Sequence, residues 1–422
     1  MNKSLYIVAF SLAFATTGIA QNNEGQDKVI DLGTQTTTEL RKTQAVSTIY
    51  SDELDKNATT SPYNAIYGLL PGLSVMQNTS WGTDKSRLNV RGRGSLNGDT
   101  PLFVVDGFAR PLEYINLSEI ESISVLKDGA ATALWGGRGA NGVVLITTKR
   151  GIYNQKDIKV DYKFGLGLPV NQPEFADAYT YAKARNEALR YDGLQPDMDE
   201  ASFLSGGNSD LYPNVDWQKE ALRNHTTSHQ LDITFRGGGK RLRYFSVLNY
   251  KNDMGLLNSK YTDYTDRYNS QMKKYFLNLR MNLDVDITDA TKLKLSMLGM
   301  LRETKRPTTS EATLFEQIFN TPSAAFPVQT QNGFWGSNNV LKTNPIANLA
   351  DVGYYKLNQR MLQADLRLVQ DLSVLTRGLS AELAIAYDNN ATYQETAKKS
   401  FMYQTIEKGT DGEPIYTNYG NP

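Results

Sequence analysis

The chain has 422 residues, with 45 Lys and Arg against 45 Asp and Glu, and no cysteine. Balanced charge argues against a nucleic-acid-binding protein, which needs a basic surface for phosphates. The absence of cysteine excludes a disulfide scaffold, a thiol nucleophile and cysteine-ligated zinc, and two histidines are too few for a multi-histidine metal centre. The 24 tyrosines and 33 glycines favour β structure.

Residues 1–20 have the layout of a cleaved signal peptide. Lys3 precedes an apolar run from Leu5 to Phe14, and small residues lie just before Gln21. This order is typical of exported proteins, and the run is shorter than the ~20 residues that a membrane-spanning helix needs. A buried N-terminal helix is the alternative. We expect export from the cytoplasm, followed by a flexible polar segment over residues 21–43.

Residues 44–150 predict a compact α/β unit. Ser61-Pro62 is a helix start, and Asp106-Gly107 is a turn pair. The glycines from 136 to 142 do not predict a phosphate loop, because no Gly-Lys-Ser/Thr ending follows and a strand comes next. The predicted strands are 45–49, 73–76, 88–91, 102–105, 122–125 and 143–147, and the predicted helices are 63–70 and 130–135.

After Gly151 the sequence changes to long alternating strands. From Leu277 to Ile287, apolar side chains alternate with Asn, Arg and Asp. Such strands, about nine to fourteen residues long, exceed the usual 5–6 residues of soluble sheets and are typical of an outer-membrane barrel with a lipid face and a wet lumen. A soluble sandwich is the alternative. Further strands are predicted near 158–166, 229–237, 241–251, 293–297, 358–371, 379–387 and 399–407.

The links between these strands differ in length. Short turns join the strands near 238–240 and 288–290, whereas 167–229 and 303–358 are long. Short turns at one end and long loops at the other are the arrangement of outer-membrane barrels. The first long loop also predicts a helix over 175–191.

We find no catalytic constellation and therefore predict that the protein is not an enzyme. His225 and His229 lie four apart in a predicted strand, about 13 Å from each other, which is too far to share a metal ion. Two interpretations of the charged residues of the α/β unit stay open. They form either a solvated surface or a surface that faces a charged lumen. These residues are Asp84, Arg87, Arg91, Arg93, Glu119, Glu121, Lys127 and Asp128.

The stretch from Asn89 to Gly151 resembles the plug of SusC/RagA-type TonB-linked outer-membrane transporters, the TonB-dependent receptors. The resemblance extends into the barrel through Asp216-Trp217, the stretch His229 to Tyr250, and Asn282-Leu283. The plug positions that carry it include Arg91, Gly92, Asp106, Gly107, Lys127, Asp128, Gly136, Arg138, Gly139, Asn141 and Gly142.

The resemblance implies an α+β plug domain (44–150) followed by a partial antiparallel transmembrane β-barrel (151–422), with roughly eight of about 22 strands. It also implies TonB-dependent import of a glycan or peptide through the outer membrane with a SusD-like surface lipoprotein, without cofactor or metal. The TonB box candidate is Val29, Ile30, Asp31 and Leu32, a short apolar island suited to strand addition.

The chain departs from the family pattern in three ways. Residues 21–43 leave no room for the β-sandwich that often precedes the plug, the TonB box is reduced to a short island, and the strands are too few to close around a plug. We therefore expect a fragment or a truncated reading frame. Two alternatives remain open at this point: a secreted β-rich binding protein or adhesin without transport, and a non-functional remnant of the transporter.

Overall fold

Three short strands come first in the structure. A computed structural model describes residues 8–11, 29–31, 36–38, 43–54, 56, 59, 61–77, 86–95, 98–170, 172–263 and 268–420. Strand β1 (Val8–Ser11) pairs with residues 163–166, and β2 (Val29–Asp31) pairs with β3 (Thr36–Thr38). Most of the predicted signal peptide and of the segment 21–43 lies outside the described residues, so both stay predictions.

The α/β unit (residues 44–150) has a five-stranded sheet in the order β4-β9-β10-β7-β8, and β5 pairs with β6. Its strands are β4 (Val46–Tyr50), β5 (Leu73–Met76), β6 (Arg87–Val90), β7 (Leu102–Val105), β8 (Phe108–Ala109), β9 (Ile120–Leu126) and β10 (Val143–Thr148). Its helices are α1 (Ser51–Leu54), α2 (Pro62–Ala65) and α3 (Gly129–Thr132), with 3-10 segments at Leu112–Tyr114, Leu117–Glu119 and Ala133–Gly139.

The six strands predicted in this unit are all present, but one helix is shorter than expected. The helix predicted over 63–70 ends at Ala65 and continues as turns. Gly68 adopts φ +74°, a left-handed conformation through which a right-handed helix cannot continue to residue 70.

The central strand β10 is apolar at consecutive positions because both faces of the sheet are buried. Val144 and Ile146 belong to one apolar cluster, which packs against the helices on that side. Val143 and Leu145 belong to a second cluster on the opposite side. Successive side chains of β10 therefore point to opposite faces of the sheet and contribute to two separate apolar cores.

The second half of the chain builds a curved antiparallel sheet. Its strands are β11 (Lys156–Gly167), β12 (Thr226–Gly238), β13 (Leu242–Met254), β14 (Lys273–Asp286), β15 (Thr291–Pro307), β16 (Trp335–Ser337), β17 (Gly353–Asp371), β18 (Ser380–Lys398), β19 (Tyr403–Lys408) and β20 (Pro414–Tyr419). We call the sheet of β11 to β15, β17 and β18 the wall. Strand β1 extends it to eight strands. The fold is thus an α+β unit followed by an incomplete antiparallel barrel, as predicted.

Alternation along the wall strands separates two kinds of surface. On β14, Asn278, Arg280 and Asn282 are no more than 2% exposed, because the α/β unit covers this face. The intervening Leu279 is 47% exposed on the opposite face. On β14 the polar positions therefore face the α/β unit and the apolar positions face outward. The neighbouring strands also turn apolar side chains inward, because Val247 and Leu298 lie opposite Arg280 and are fully buried.

The long loops pack together at one end of the wall, and we call this layer the loop cap. Its helices are α4 (Ala178–Tyr191), α5 (Glu200–Ser205), α6 (Trp217–Ala221), α7 (Ser259–Thr262), α8 (Glu311–Asn320) and α9 (Pro345–Ala350). The helix predicted over 175–191 begins at Ala178, where the carboxylate of Asp177 accepts a hydrogen bond from Thr180 N. Within the described residues, no helix is long and apolar enough to cross a membrane.

The strand predicted near 399–407 does not extend the wall. It forms β19, which lies between β16 and β20 in a small sheet of the loop cap. Tyr403 packs against the apolar core of this layer, next to Trp335 of β16. Burial against the loop cap, which a strand pattern cannot reveal, decides where this strand pairs.

Candidate functional site

The candidate site is the interface between the α/β unit and the polar face of the wall. The unit reaches the wall through the turn after β7, the 3-10 segments before β9, and the end of β10. These segments carry charged or amide side chains, as do the wall positions that they meet.

Glu119 lies at the centre of the interface and is fully buried. Its carboxylate accepts hydrogen bonds from Asn278 Nδ2 and Arg280 Nε on β14. Burial raises the pKa of the Glu119 carboxyl, and the Arg280 guanidinium acts in the opposite direction. Two charges that are costly to bury alone compensate each other here, so this contact depends on correct register between unit and wall.

Arg110 makes a second buried contact, just after β8. Its Nη1 and Nη2 donate to Asp365 of β17 at 2.6 and 2.5 Å, and Nη2 also donates to Asp388 of β18 at 2.6 Å. Burial lowers the pKa of the guanidinium, but the hydrogen bonds to the two carboxylates outweigh it and raise the pKa above its usual value. Arg110 therefore joins two neighbouring wall strands to the α/β unit through a bidentate pair.

The predicted turn Asp106-Gly107 lies directly against the wall. The Asp106 carboxylate accepts from Thr148 N at 3.0 Å and from Thr148 Oγ1 at 2.6 Å, and Arg367 Nη2 donates to the Asp106 carbonyl at 2.8 Å. Gly107 has φ +91°, and a Cβ there would lie 2.8 Å from Arg367 Nη2. The turn needs glycine for its backbone conformation, and a Cβ there would also displace the end of the Arg367 side chain.

The end of β10 is anchored to the wall as well. Arg150 Nη1 donates to Asp284 at 3.0 Å, and Asn282 Nδ2 donates to the Lys149 carbonyl at 2.7 Å. Arg236 Nε donates to the Arg150 carbonyl at 2.7 Å. The covalent link between the two halves of the chain is thus held in place on both sides.

The other predicted motif residues lie within the α/β unit and shape its turns. Arg91 and Gly92 have φ +58° and +87°, and Arg91 N donates to the Gly72 carbonyl at 2.8 Å. Lys127 and Asp128 hold the start of β4, through Ser47 Oγ and Ala45 N.

The glycine-rich loop before β10 is structural, as predicted. Gly136 and Gly142 have φ +53° and +88°, and a Cβ on Gly139 would lie 3.1 Å from the Thr132 carbonyl oxygen. Asn141 Nδ2 donates to the Gly98 carbonyl at 3.2 Å, whereas Arg138 is exposed. None of these residues contributes to the contacts with the wall described above.

The TonB box candidate is only partly described. Val29, Ile30 and Asp31 form β2, and Leu32 lies outside the described residues. The Ile30 side chain is fully buried in the second apolar cluster of the α/β unit, together with Val46. Its role as a TonB box stays a prediction.

The charged residues of the unit divide between the two interpretations. Glu119 and Glu121 face the wall, where Arg236 Nη2 lies 3.5 Å from Glu121. By contrast, Arg87 and Arg93 bind Asp99 within the α/β unit. Asp84 lies outside the described residues.

Sequence reasoning missed three interface residues: Arg110, Asn116 and Arg150. Asn116 Nδ2 donates to Asp232 of β12 at 3.2 Å. Each lies within a few residues of a predicted strand. A polar side chain near the end of a strand was therefore the sequence feature that could have indicated a contact with the wall. Among the described residues, no group of acidic and histidine side chains could hold a metal ion, and His229 Nδ1 lies 2.7 Å from Tyr162 Oη.

Comparison with known proteins identifies this arrangement. The TonB-dependent receptor plug domain matches residues 38–143. The TonB-dependent receptor SusC of Bacteroides thetaiotaomicron is 30% identical over 283 residues, and the match covers 63% of this chain. The solved RagAB peptide importer in its open-open state superimposes with a TM-score of 0.69 at 20% identity, covering 89% of this chain. Residues 38–143 thus match the plug domain of TonB-dependent receptors, and the chain resembles SusC/RagA-type receptors in sequence.

The chain spans about a quarter of the length of the curated relatives that it matches. The matches cover 26% of SusC and 26% of the TonB-dependent receptor P26 of Formosa agariphila, which is 28% identical over 281 residues and matches 65% of this chain. The match covers 43% of the solved RagAB chain. TonB-dependent receptors are transporters rather than enzymes, and this family match does not favour the alternatives of an adhesin or a remnant.

Proposed function

We propose that this chain is the plug and first barrel strands of an importer that takes up an oligosaccharide or oligopeptide through the outer membrane. Uptake is driven by TonB, the energy-coupling partner in the cell envelope, and a SusD-like surface lipoprotein captures the substrate. The signal peptide directs export, and the outward face of the wall contacts outer-membrane lipid.

The observation that carries this proposal is the polar interface between unit and wall. Glu119 and Arg280 form a buried ion pair. Such a pair adds little net stability compared with apolar packing. Water can replace such contacts when the plug shifts, because separated charges regain their hydration. A plug that must open a pore and close it again is best held by contacts of this kind.

Membrane insertion is supported by the outward face of the wall. Leu279, Leu301, Leu362 and Ile385 project from four strands and are each 46–57% exposed. Exposed apolar side chains on neighbouring strands suit a lipid environment. We expect the full receptor to fractionate with the outer membrane and to need detergent for extraction; recovery in the soluble fraction would contradict this assignment.

Energy coupling is tested by replacing residues 27–33 of the full receptor with a Gly/Ser segment of equal length. This change removes the apolar anchors while it keeps the tether length. We expect TonB-dependent uptake to be abolished and surface binding of substrate to be retained. Uptake at the wild-type rate would overturn the TonB box assignment.

A matched control replaces residues 22–26, which also lie N-terminal to the α/β unit but contain no apolar side chain. This variant should take up substrate normally. Transport assays with a labelled oligosaccharide mixture and a labelled peptide mixture, each with and without the lipoprotein partner, then distinguish the two substrate classes.

A further inference from the structure

We propose that Lys127 and Asp128 form a clip that controls when the first strand of the plug sheet, β4, detaches under load. The inference rests on the proposed function, because the load is the pull that TonB exerts on the N-terminal segment. The contacts of the clip themselves do not depend on any partner.

Asp128 ties together two elements. Its Oδ2 accepts from Ala45 N at 2.7 Å, at the entry to β4, and its Oδ1 accepts from Ala131 N at 2.7 Å, at the start of α3. Both bonds are made to an ionised carboxylate, which strengthens them relative to neutral pairs. One side chain therefore holds the start of β4 against the start of a helix.

Lys127 adds contacts from the other side of the same strand. Its Nζ donates to Ser47 Oγ at 2.5 Å and to the Pro71 carbonyl at 3.0 Å. Its backbone N donates to the Ala45 carbonyl at 3.1 Å. A Cβ on Gly72, which has φ +86°, would lie 2.8 Å from Lys127 Cδ, so the glycine leaves room for the lysine stem.

The position of the clip decides its mechanical role. Among the described strands β4 lies at the edge of its sheet, next to β9, and their register begins with Val46 opposite Leu126. A pull on the N-terminal segment reaches Ala45 and Val46 before any later pair of β4. Lys127 and Asp128 follow Leu126 directly, so the clip lies at the first pair that the load must break.

The pull withdraws Ile30 before it reaches β4. Val46, Leu126 and Ala131 belong to the same apolar cluster as Ile30. Once Ile30 moves away, this cluster loses one of its members, and Val46 loses part of its packing. The contacts of the clip then hold the start of β4 in place.

The test uses hydrogen exchange of the full receptor in outer-membrane vesicles, without TonB and without substrate. The variants are Asp128→Ala and Lys127→Met, which remove different halves of the clip. We expect exchange of the β4 amides (46–50) to rise roughly 5- to 30-fold in each variant, with little change in β10 (143–148). Single-molecule pulling from the N-terminus should release β4 at a lower force in both variants.

Asp177→Ala is the matched control. It removes another helix-capping carboxylate, that of α4 in the loop cap, and should leave β4 exchange and release force unchanged. Wild-type exchange and release force in both clip variants would overturn the proposal, as would an equal rise in β4 and β10.

Failure of the clip can be separated from failure of the proposed function. The exchange measurement contains neither TonB nor substrate, so an unaffected β4 would leave the import assignment standing. Conversely, normal uptake after replacement of residues 27–33 would contradict the assignment of the TonB box. The exchange result would still show whether Lys127 and Asp128 hold β4.

Discussion

The interface between plug and wall contains buried charged pairs beside a small apolar cluster of Tyr114, Met300 and Met361, whereas the interior of the loop cap is mainly apolar. At the interface, Arg110 and Glu119 meet charged partners on the wall. The loop cap instead encloses an apolar core that includes Trp217, Phe326 and Trp335. Both regions are buried, yet only the first exchanges its contacts for water at low cost when it separates.

This difference indicates which parts of the molecule are built to move. An apolar core loses its hydrophobic stabilisation as soon as its surfaces part, so the loop cap is suited to stay assembled as a platform. Charged pairs regain hydration on separation, so the plug is suited to shift. The following predictions test the contrast, from the largest expected effect to the smallest.

Glu119→Ala should have the largest effect. It leaves Arg280 buried without its ionic partner, and breaking a buried pair in this way costs about 3–5 kcal/mol. We expect the free energy of plug unfolding, measured by denaturant titration in detergent, to fall by that amount.

The double variant Glu119→Leu with Arg280→Met is the control for this prediction. It removes both charges and should recover most of the lost stability, because an apolar pair can replace a buried ion pair. A double variant as unstable as Glu119→Ala would show that the pair does not act as a unit.

Phe326→Ala tests the apolar side of the comparison. Phe326 is 1% exposed and meets Trp217 edge to face at 5.3 Å. Removal of a buried phenylalanine costs about 3–5 kcal/mol, at or slightly below the effect of the broken ion pair. Proteolysis of the loop cap should accelerate while the plug keeps its stability; Leu204→Ala, at a mostly exposed position of the loop cap, should change neither.

Leu279→Arg tests the outward face of the wall. A charge facing lipid near the bilayer midplane costs about 2–4 kcal/mol in a transmembrane barrel. We expect a lower yield of membrane-inserted, heat-modifiable receptor, whereas Leu279→Met should insert normally. Equal yields would indicate that this face does not contact lipid.

The smallest expected effect is the pH dependence of the clip. Hydrogen bonds from Ala131 N and Ala45 N hold the pKa of Asp128 below 3.8. Because the folded pKa is depressed, the stabilisation is present above pH 3.8 and is lost as the pH falls through the lower folded value. Exchange of β4, corrected for intrinsic rates, should therefore be constant between about pH 5 and 8 and rise only in strong acid.

Asp128→Ala is the control, since it has no carboxylate to protonate and should lose this acid-induced rise. A rise of the same size in the variant would assign the effect to another group.

The sequence alone determined the fold class, because the two kinds of strand leave different patterns. A strand with two buried faces reads as a continuous apolar run, as in β10, whereas a strand with one polar face alternates, as in β14. The turn Asp106-Gly107 and the structural loop before β10 were likewise predictable from local chemistry.

Only the tertiary structure decided which polar residues form the site. Alternation places Arg280 on the inner face but does not name Glu119 as its partner, 161 positions earlier. Arg110 and Asp365 are 255 positions apart, and β19 joins the loop cap although its pattern fits a wall strand. Local sequence fixes the direction of a side chain, whereas its partner depends on how distant segments pack together.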